Sequence, residues 1–315
     1  MSAPEVSIVI LSYNRKEYLT FNLLELTRIK RVIDIDLEII VVDNNSYAFD
    51  VESIAKDFPS VSIIKLEENQ GAVARSVGMR ASEGRIIITL DDDVYGLKAN
   101  QIKWLLEKFY KNENVGAINF KVLDEKTGVI VNWAHHVKKE VYADSEFETY
   151  EISEGAVAFR AEVLEIVGYY PMDFFISHEG PDLAIRILNA GYSVMYSPSV
   201  EVTHAHASQG RASWRRYYYD SRNVIWLAVR RYPMSLVIRI MLPNLLALFL
   251  YSLRDGFVRY YFKGVIDGIA GVKRQWRCRE IANSSVLKLV SEVKKKSPPL
   301  HRKLRERLFR RGVQI

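Results

Sequence analysis

Short, unbroken apolar runs rich in Ile and Val recur through the first half of the chain, separated by stretches with a helical period. Positions 6–11, 37–42, 61–66 and 86–90 read as strands; 16–29, 72–81 and 100–110 read as helices, with a further short helix before the third strand. A strand that is apolar at every position has no solvent face, so both of its sides must be covered. Strands of that kind alternating with helices predict an α/β fold with a mostly parallel sheet between helical layers. Polar residues break the pattern at strand ends: Ser12-Tyr13-Asn14-Arg15, Asp43-Asn44-Asn45-Ser46 and Asp91-Asp92-Asp93. Open α/β sheets hold ligands outside the carboxyl ends of their strands, so these three segments define one candidate edge.

The aspartate triplet constrains the chemistry most. Three successive carboxylates repel one another unless positive charge sits on them, and a hard divalent cation, Mg²⁺ or Mn²⁺, suits oxygen ligands and also binds substrate phosphates. The alternative is a solvated acidic turn. The chain of 315 residues carries a formal net charge of +6, with clustered Lys and Arg in the C-terminal third, which suggests anionic partners there. Cys278 is the sole cysteine, which suits a reducing compartment. Met1-Ser2-Ala3-Pro4-Glu5 does not read as a secretory leader, so the expected location is cytoplasmic.

Four strings in order, VSIVILSYNR, IIVVDNNS, NQGAVARSVGMRASEGRIIITLDDDV and EGAVAFRAEVLEIVGYYPMDFFISHEGPDLAIRILNAGY, resemble the large family 2 group of inverting nucleotide-sugar glycosyltransferases with the GT-A fold. The resemblance covers roughly residues 5 to 210. It implies a nucleoside-diphosphate sugar donor, a divalent cation, and a catalytic domain over 1–215 followed by a helical, basic extension over 216–315. By resemblance, Asp43 accepts a hydrogen bond from the imide N–H of uracil or thymine; the local alternative is a helix cap. Ser12, Tyr13, Asn14, Arg15 and Asn44 lie beside it, with Tyr13 placed to stack on the base or simply to pack, and Arg15 to meet its edge or the diphosphate. Asn69 and Gly71 wrap the nucleotide, with Gly71 allowing close backbone approach, and Arg75 offers a planar donor to phosphate or to the base. Asp91 contacts the ribose or the metal through water, Asp92 contacts the donor sugar, and Asp93 is the direct metal ligand. His204 supplies a third metal ligand, and His206 contacts the diphosphate.

An inverting displacement also needs a base for the acceptor hydroxyl. The family has an adjacent Glu-Asp pair followed by a second Asp; here Gly180 replaces the first Asp, leaving Glu179 or Asp182 as the base. Beyond residue 211, Trp214-Arg215-Arg216-Tyr217-Tyr218-Tyr219 leads into an apolar segment over 236–253 interrupted by Arg239, Pro243 and Asn244. That segment falls short of a clean membrane span, and its basic neighbours fit either an interfacial helix pair on anionic lipid or helices packed on the catalytic domain or a second subunit. The Tyr-Tyr-x-x-Arg-Asn stretch resembles the rhamnosyltransferase-like branch, which implies a dTDP-linked donor. The expected acceptor is a glycan or lipid-linked hydroxyl in cell-surface polysaccharide synthesis, at the cytoplasmic face of the membrane. A nucleotide- or nucleic-acid-binding protein without transferase activity is the alternative, but it leaves Asp43, the triplet and His204 unexplained, so nucleic acid is not an expected partner.

Overall fold

The computed structural model describes residues 4–205 and 214–298. Strand β1 (Val6–Ser12) leads through α1 (Lys16–Val32) to β2 (Leu37–Asp43), and α2 (Val51–Asp57) leads to β3 (Ser62–Lys65). After a 3-10 turn at Gly71–Ala74, α3 (Arg75–Ala81) precedes β4 (Ile86–Asp91). There follow β5 (Val94–Tyr95), α4 (Ala99–Lys111), β6 (Val115–Asp124), α5 (Lys139–Tyr142), β7 (Phe147–Glu148) and β8 (Ala156–Arg160). Then come α6 (Ala161–Val167), α7 (Glu179–Asn189) and β9 (Ser193–His204), and finally α8 (Trp214–Arg231), α9 (Met234–Asp255), α10 (Val258–Arg277) and α11 (Ser284–Lys295).

The strands form one sheet in the order β3-β2-β1-β4-β8-β6-β9-β5, with β7 added against β9. The first four are parallel, as their alternation with helices predicts. The other half departs from a mostly parallel sheet: β8 is antiparallel to β4 and β6, and β5 and β7 are antiparallel to β9. Between β6 and β8 the only helix is the four-residue α5, too short for the crossover that a parallel neighbour requires, so β8 enters in the opposite sense. The crossover returns with α6 and α7, and β9 lies parallel to β6.

Both sheet faces are buried, which accounts for the unbroken apolar runs. Ile8, Ile10, Ile39, Val41, Ile88 and Leu90 face α1 and α4, packing with Leu19, Leu23, Ile102 and Leu105. Val9, Ile40, Val42 and Ile87 belong to the opposite layer, with Leu183 and Ile187 of α7 and Val224 and Ile225 of α8. Each such side chain contributes about 1.5–3 kcal/mol on burial.

The C-terminal helices belong to that second layer. The α8 and α10 backbones touch: a Cβ added to Gly264 would collide with the Tyr218 carbonyl oxygen and Ser221 Oγ. Trp226 Nε1 donates to the Gly268 carbonyl at 3.0 Å, and Val286, Val290 and Val293 of α11 join the same core. Arg222 stacks 4.1 Å from the Trp226 ring and 4.8 Å from that of Tyr219, so part of the arginine–aromatic interleaving is internal packing. Helix α9 runs unbroken through Pro243, and Asn244 Nδ2 donates back to the Ile240 carbonyl at 2.8 Å. It is 22 residues long, with a mean hydropathy of 1.9 over an 18-residue window, and is long and apolar enough to cross a membrane by length and composition. Met234, Ile238, Leu242, Leu246, Leu250 and Leu253 form an exposed apolar stripe along it.

Candidate active site

Parallel register assembles the site. Ser12 pairs with Asp43, and Leu11 with Asp91, so the polar ends of β1, β2 and β4 share one sheet edge. Asp43 is fully buried and accepts from the Ser46 backbone N–H at 3.2 Å. It caps no helix; Asp50 caps α2 by accepting from Glu52 N at 3.1 Å. Asn14, in the left-handed region at φ 59°, accepts from Tyr47 N and Ala48 N at 2.8 and 2.9 Å and so ties the first two loops together. Tyr13 is half-buried and meets Tyr47 edge-on, with ring centroids 6.2 Å apart.

Asn44 organises the third loop. Its Oδ1 accepts from Gln70 N at 2.8 Å, and its Nδ2 donates to the Gly71 carbonyl at 3.0 Å and Asn69 Oδ1 at 3.3 Å. Gly71 has φ +74°, and a Cβ there would collide with the Phe175 carbonyl oxygen and ring. The close approach that requires glycine is therefore to the loop before α7, where the sequence pattern predicts the nucleotide.

The triplet meets two arginines and a histidine from three other elements. Arg75, 3% exposed, pairs with Asp91. Arg15 bridges Asp92 and Asp93 at 2.8 and 2.9 Å, and Asp92 also accepts from Ser12 Oγ at 3.0 Å and Tyr13 N at 3.1 Å. Burial pushes Asp92 up to about 6 against the pull of Arg15. Antiparallel pairing of β5 with β9 places His204 opposite Val94, with its Nε2 3.3 Å from Asp93 Oδ1 and its Nδ1 3.0 Å from Asn132 Nδ2. Asp93 and His204 thus lie side by side, one carboxylate and one imidazole. Asp91 does not join them, because Arg75 holds it. The expected trio of Asp91, Asp93 and His204 is not gathered, and no group of three such ligands is placed for a metal among the described residues. His206 lies outside the described residues.

Beyond Asp91 lies a second carboxyl group of residues. Glu179, at the start of α7, is 2% exposed, and burial beside Glu154 pushes its carboxyl well above the usual range. The half-buried Glu154 is likewise raised by burial, to about 7, against the pull of Arg75. Sequence reasoning misses Glu154, whose one signal is its place in EGAVAFR, directly before a buried strand. Asp182 has a different role from that expected: its carboxylate accepts from Arg231 Nε at 2.7 Å and Arg186 Nε at 3.1 Å, and it is fully buried. Despite burial, the arginines hold its carboxyl below the ordinary range, the opposite of what a base near neutrality needs. Asp182 instead ties α7 to α8.

The loop before α7 is strained, with Phe175, Ser177 and His178 at φ 65°, 75° and 67°. Asn223 of α8 holds it, donating through Nδ2 to the carbonyls of Phe174, Ile176 and Ser177 at 2.9, 2.8 and 2.8 Å. Arg222 donates to the Asp173 and Phe174 carbonyls at 3.0 and 2.8 Å. The Arg-Asn pair singled out in the sequence is thus the clamp on this loop.

A mixed α/β sheet with its polar loops at one edge and a helical C-terminal region is the GT-A architecture of glycosyltransferases. The chain belongs to glycosyl transferase family 2, whose profile matches residues 7–166. It is 26% identical over 259 residues to the dTDP-rhamnosyl transferase RfbF of Shigella flexneri, a match covering 74% of this chain and 86% of that protein. It is 22% identical over 197 residues to the O-antigen chain rhamnosyltransferase WbaN of Salmonella anatum, covering 58% of this chain and only 60% of WbaN. Among solved structures, S. aureus TarS 1–349 in complex with UDP-GlcNAc aligns with a TM-score of 0.59 at 17% identity, over 96% of this chain and 91% of that one. GalNAc-T7 with UDP, GalNAc and Mn²⁺ aligns at 0.61 and 13% identity, over 94% of this chain and 58% of that one. At these identities the structural matches establish the fold alone.

The clamp on Asp182 is testable by equilibrium unfolding in urea. Arg231→Met, which leaves a buried carboxylate short of a partner, is expected to cost about 3–5 kcal/mol, and adding Asp182→Asn to recover much of that loss. A single variant as stable as the parent would return Asp182 to the candidate bases.

Proposed function

We propose that this chain is a metal-dependent inverting glycosyltransferase. It moves a sugar from a UDP- or dTDP-linked donor to a hydroxyl of a glycan or lipid-linked acceptor in cell-surface polysaccharide synthesis. The observation that carries this reading is the convergence of Asp43, Asp93 and His204 on one sheet edge, in a chain of glycosyl transferase family 2. The two rhamnosyltransferase relatives favour a dTDP-linked donor.

In this reading Asp43 selects a pyrimidine base that carries an imide N–H, because an ionised carboxylate only accepts hydrogen bonds. Asp93 and His204 hold a divalent cation, Mn²⁺ or Mg²⁺. When bound, such a cation disperses the negative charge growing on the departing diphosphate. Arg15, now bridging Asp92 and Asp93, is the cationic side chain best placed to turn toward the diphosphate. Arg75 holds Asp91 beside the donor, and the charges of Glu154 and Glu179 also act on Arg75, so in this reading the acceptor hydroxyl loses its proton to a carboxyl of this group.

The exposed stripe on α9 has basic residues along and beyond it: Arg239, Arg254, Arg259 and Lys263 are all exposed. An apolar face with such neighbours fits the headgroup region of an anionic membrane and supports the reading of a peripheral enzyme at the cytoplasmic face, near a lipid-linked acceptor.

Asp93→Ala is expected to abolish metal-dependent release of nucleotide from a dTDP- or UDP-sugar while leaving the thermal transition in place. Asp43→Ala is expected to weaken nucleotide binding more than it slows turnover. Near-normal turnover in a chelator-treated sample would refute the metal assignment, and the opposite pattern at Asp43 would refute base recognition. In flotation assays the protein is expected to bind anionic vesicles over neutral ones, less so as salt rises. Equal partitioning into both would remove the electrostatic attraction, and no binding to either would leave the stripe as a protein interface.

A further inference from the structure

Two glycines bring separate carboxyls into one nest. A Cβ on Gly180 would collide with Glu154 Oε1 and the Ile152 carbonyl oxygen, and one on Gly155 would collide with Asp91 Oδ2. The Glu154 carboxylate therefore lies against the first turn of α7, in the space that a side chain at position 180 would fill. Asp91 lies against the adjoining residue, on the side of the donor edge. Thr89 Oγ1 fixes the segment by donating to the Glu154 carbonyl at 2.7 Å. Around this nest, Arg75 Nε, Tyr170 Oη and Glu179 Oε2 are buried polar atoms with no hydrogen-bond partner in this structure. Arg75, Tyr170 and Glu179 are 3%, 1% and 2% exposed, and the charge of Glu154 acts on all three. Leaving polar atoms so deeply buried unpaired is costly, and they mark the nest as built to receive a polar group.

Resting on the transferase reading above, we propose that Glu154 is the catalytic base of the transfer. Its carboxylate takes the proton of the acceptor hydroxyl as that oxygen bonds to the anomeric carbon of the donor sugar. The bond from that carbon to the diphosphate oxygen breaks, its electron pair leaves with the nucleoside diphosphate, and the proton stays on Glu154.

The other carboxyls are less suited. Asp182 is held by two arginines and kept ionised. Glu179 is enclosed, and burial beside Glu154 raises its carboxyl well above the usual range. Glu154 is less buried as a residue than either of them, its carboxylate lies in the space left by Gly180, and it faces Arg75 of α3, Asp91 of β4, Glu151 on its own segment and Glu179 of α7. Burial, Glu151 and Asp91 raise its pKa and Arg75 lowers it, leaving it at about 7, where a base is most effective.

The test uses the full chain with Mn²⁺, following nucleotide release from dTDP-rhamnose and from a panel of UDP-sugars, with dTDP and UDP binding measured by calorimetry. Glu154→Gln is expected to bind nucleotide like the parent but to turn over about 10²- to 10⁴-fold more slowly. Glu154→Asp is expected to recover part of that rate, and Glu179→Gln to lose less than Glu154→Gln. Because the base must be ionised, parental kcat/KM is expected to fall as pH drops below about 7, and this acid limb is expected to vanish in Glu154→Gln. Parent-like turnover of Glu154→Gln, a larger loss in Glu179→Gln, or loss of nucleotide binding in both Glu154 variants would each overturn the assignment. A parent protein that releases nucleotide from none of these donors would refute the transferase reading itself.

Discussion

Three aspartates in succession at the end of a buried strand cannot all be ionised unless positive charge is brought to them. Two unit charges about 4 Å apart interact by roughly 4 kcal/mol at the effective dielectric of a protein surface. Here the opposing charge arrives from separate parts of the chain: Arg15 from the loop after β1 and Arg75 from the start of α3, with His204 from the end of β9 beside Asp93. Holding the triplet together therefore gathers the first loop, the glycine-led loop at Gly71 and the far edge of the sheet. A guanidinium is a planar donor that suits phosphate oxygens as well as carboxylates.

That arrangement depends on a rigid opposite wall. Gly71 packs under the Phe175 carbonyl, and the segment carrying it sits in left-handed conformations that cost about 1–3 kcal/mol apiece when nothing compensates. Asn223 and Arg222 of α8 satisfy its carbonyls, and Arg231 pairs with Asp182 one turn into α7. The C-terminal helices are thus continuous with the scaffold of the site. Asn189 at the end of α7 donates to the Ile281 carbonyl at 3.0 Å and accepts from Asn283 N at 3.0 Å, so the chain returns past α10 to brace the same helix.

Much of the donor edge is legible in the sequence because it is encoded locally. A buried strand must be apolar at both parities, and the polar residues that end it must face the sheet edge, so Asp43, Asp91 and Asp93 stand out by their position along the chain. The antiparallel half of the sheet is not legible, since the sense of β8 depends on what fails to form between 125 and 155. Glu154 is hidden for a related reason: its setting comes from a glycine 26 residues further along the chain, beyond β8 and α6, and missing side chains leave no pattern. Asp182 misleads in the opposite direction. Its spacing resembles a catalytic motif, and only the distant Arg231 shows the carboxylate to be spent on packing.

The transferase reading requires the edge formed by Asp43, Asp93 and His204 to be one site shared by nucleotide and metal. Mn²⁺ binding, followed by its electron paramagnetic resonance signal in the absence and presence of dTDP and UDP, tests this directly. A shared site is expected to bind Mn²⁺ weakly alone and at least about tenfold more tightly with the nucleoside diphosphate. The metal must then raise nucleotide affinity by the same factor, because the coupling is reciprocal. Affinities for Mn²⁺ and nucleotide that are independent of each other would contradict it.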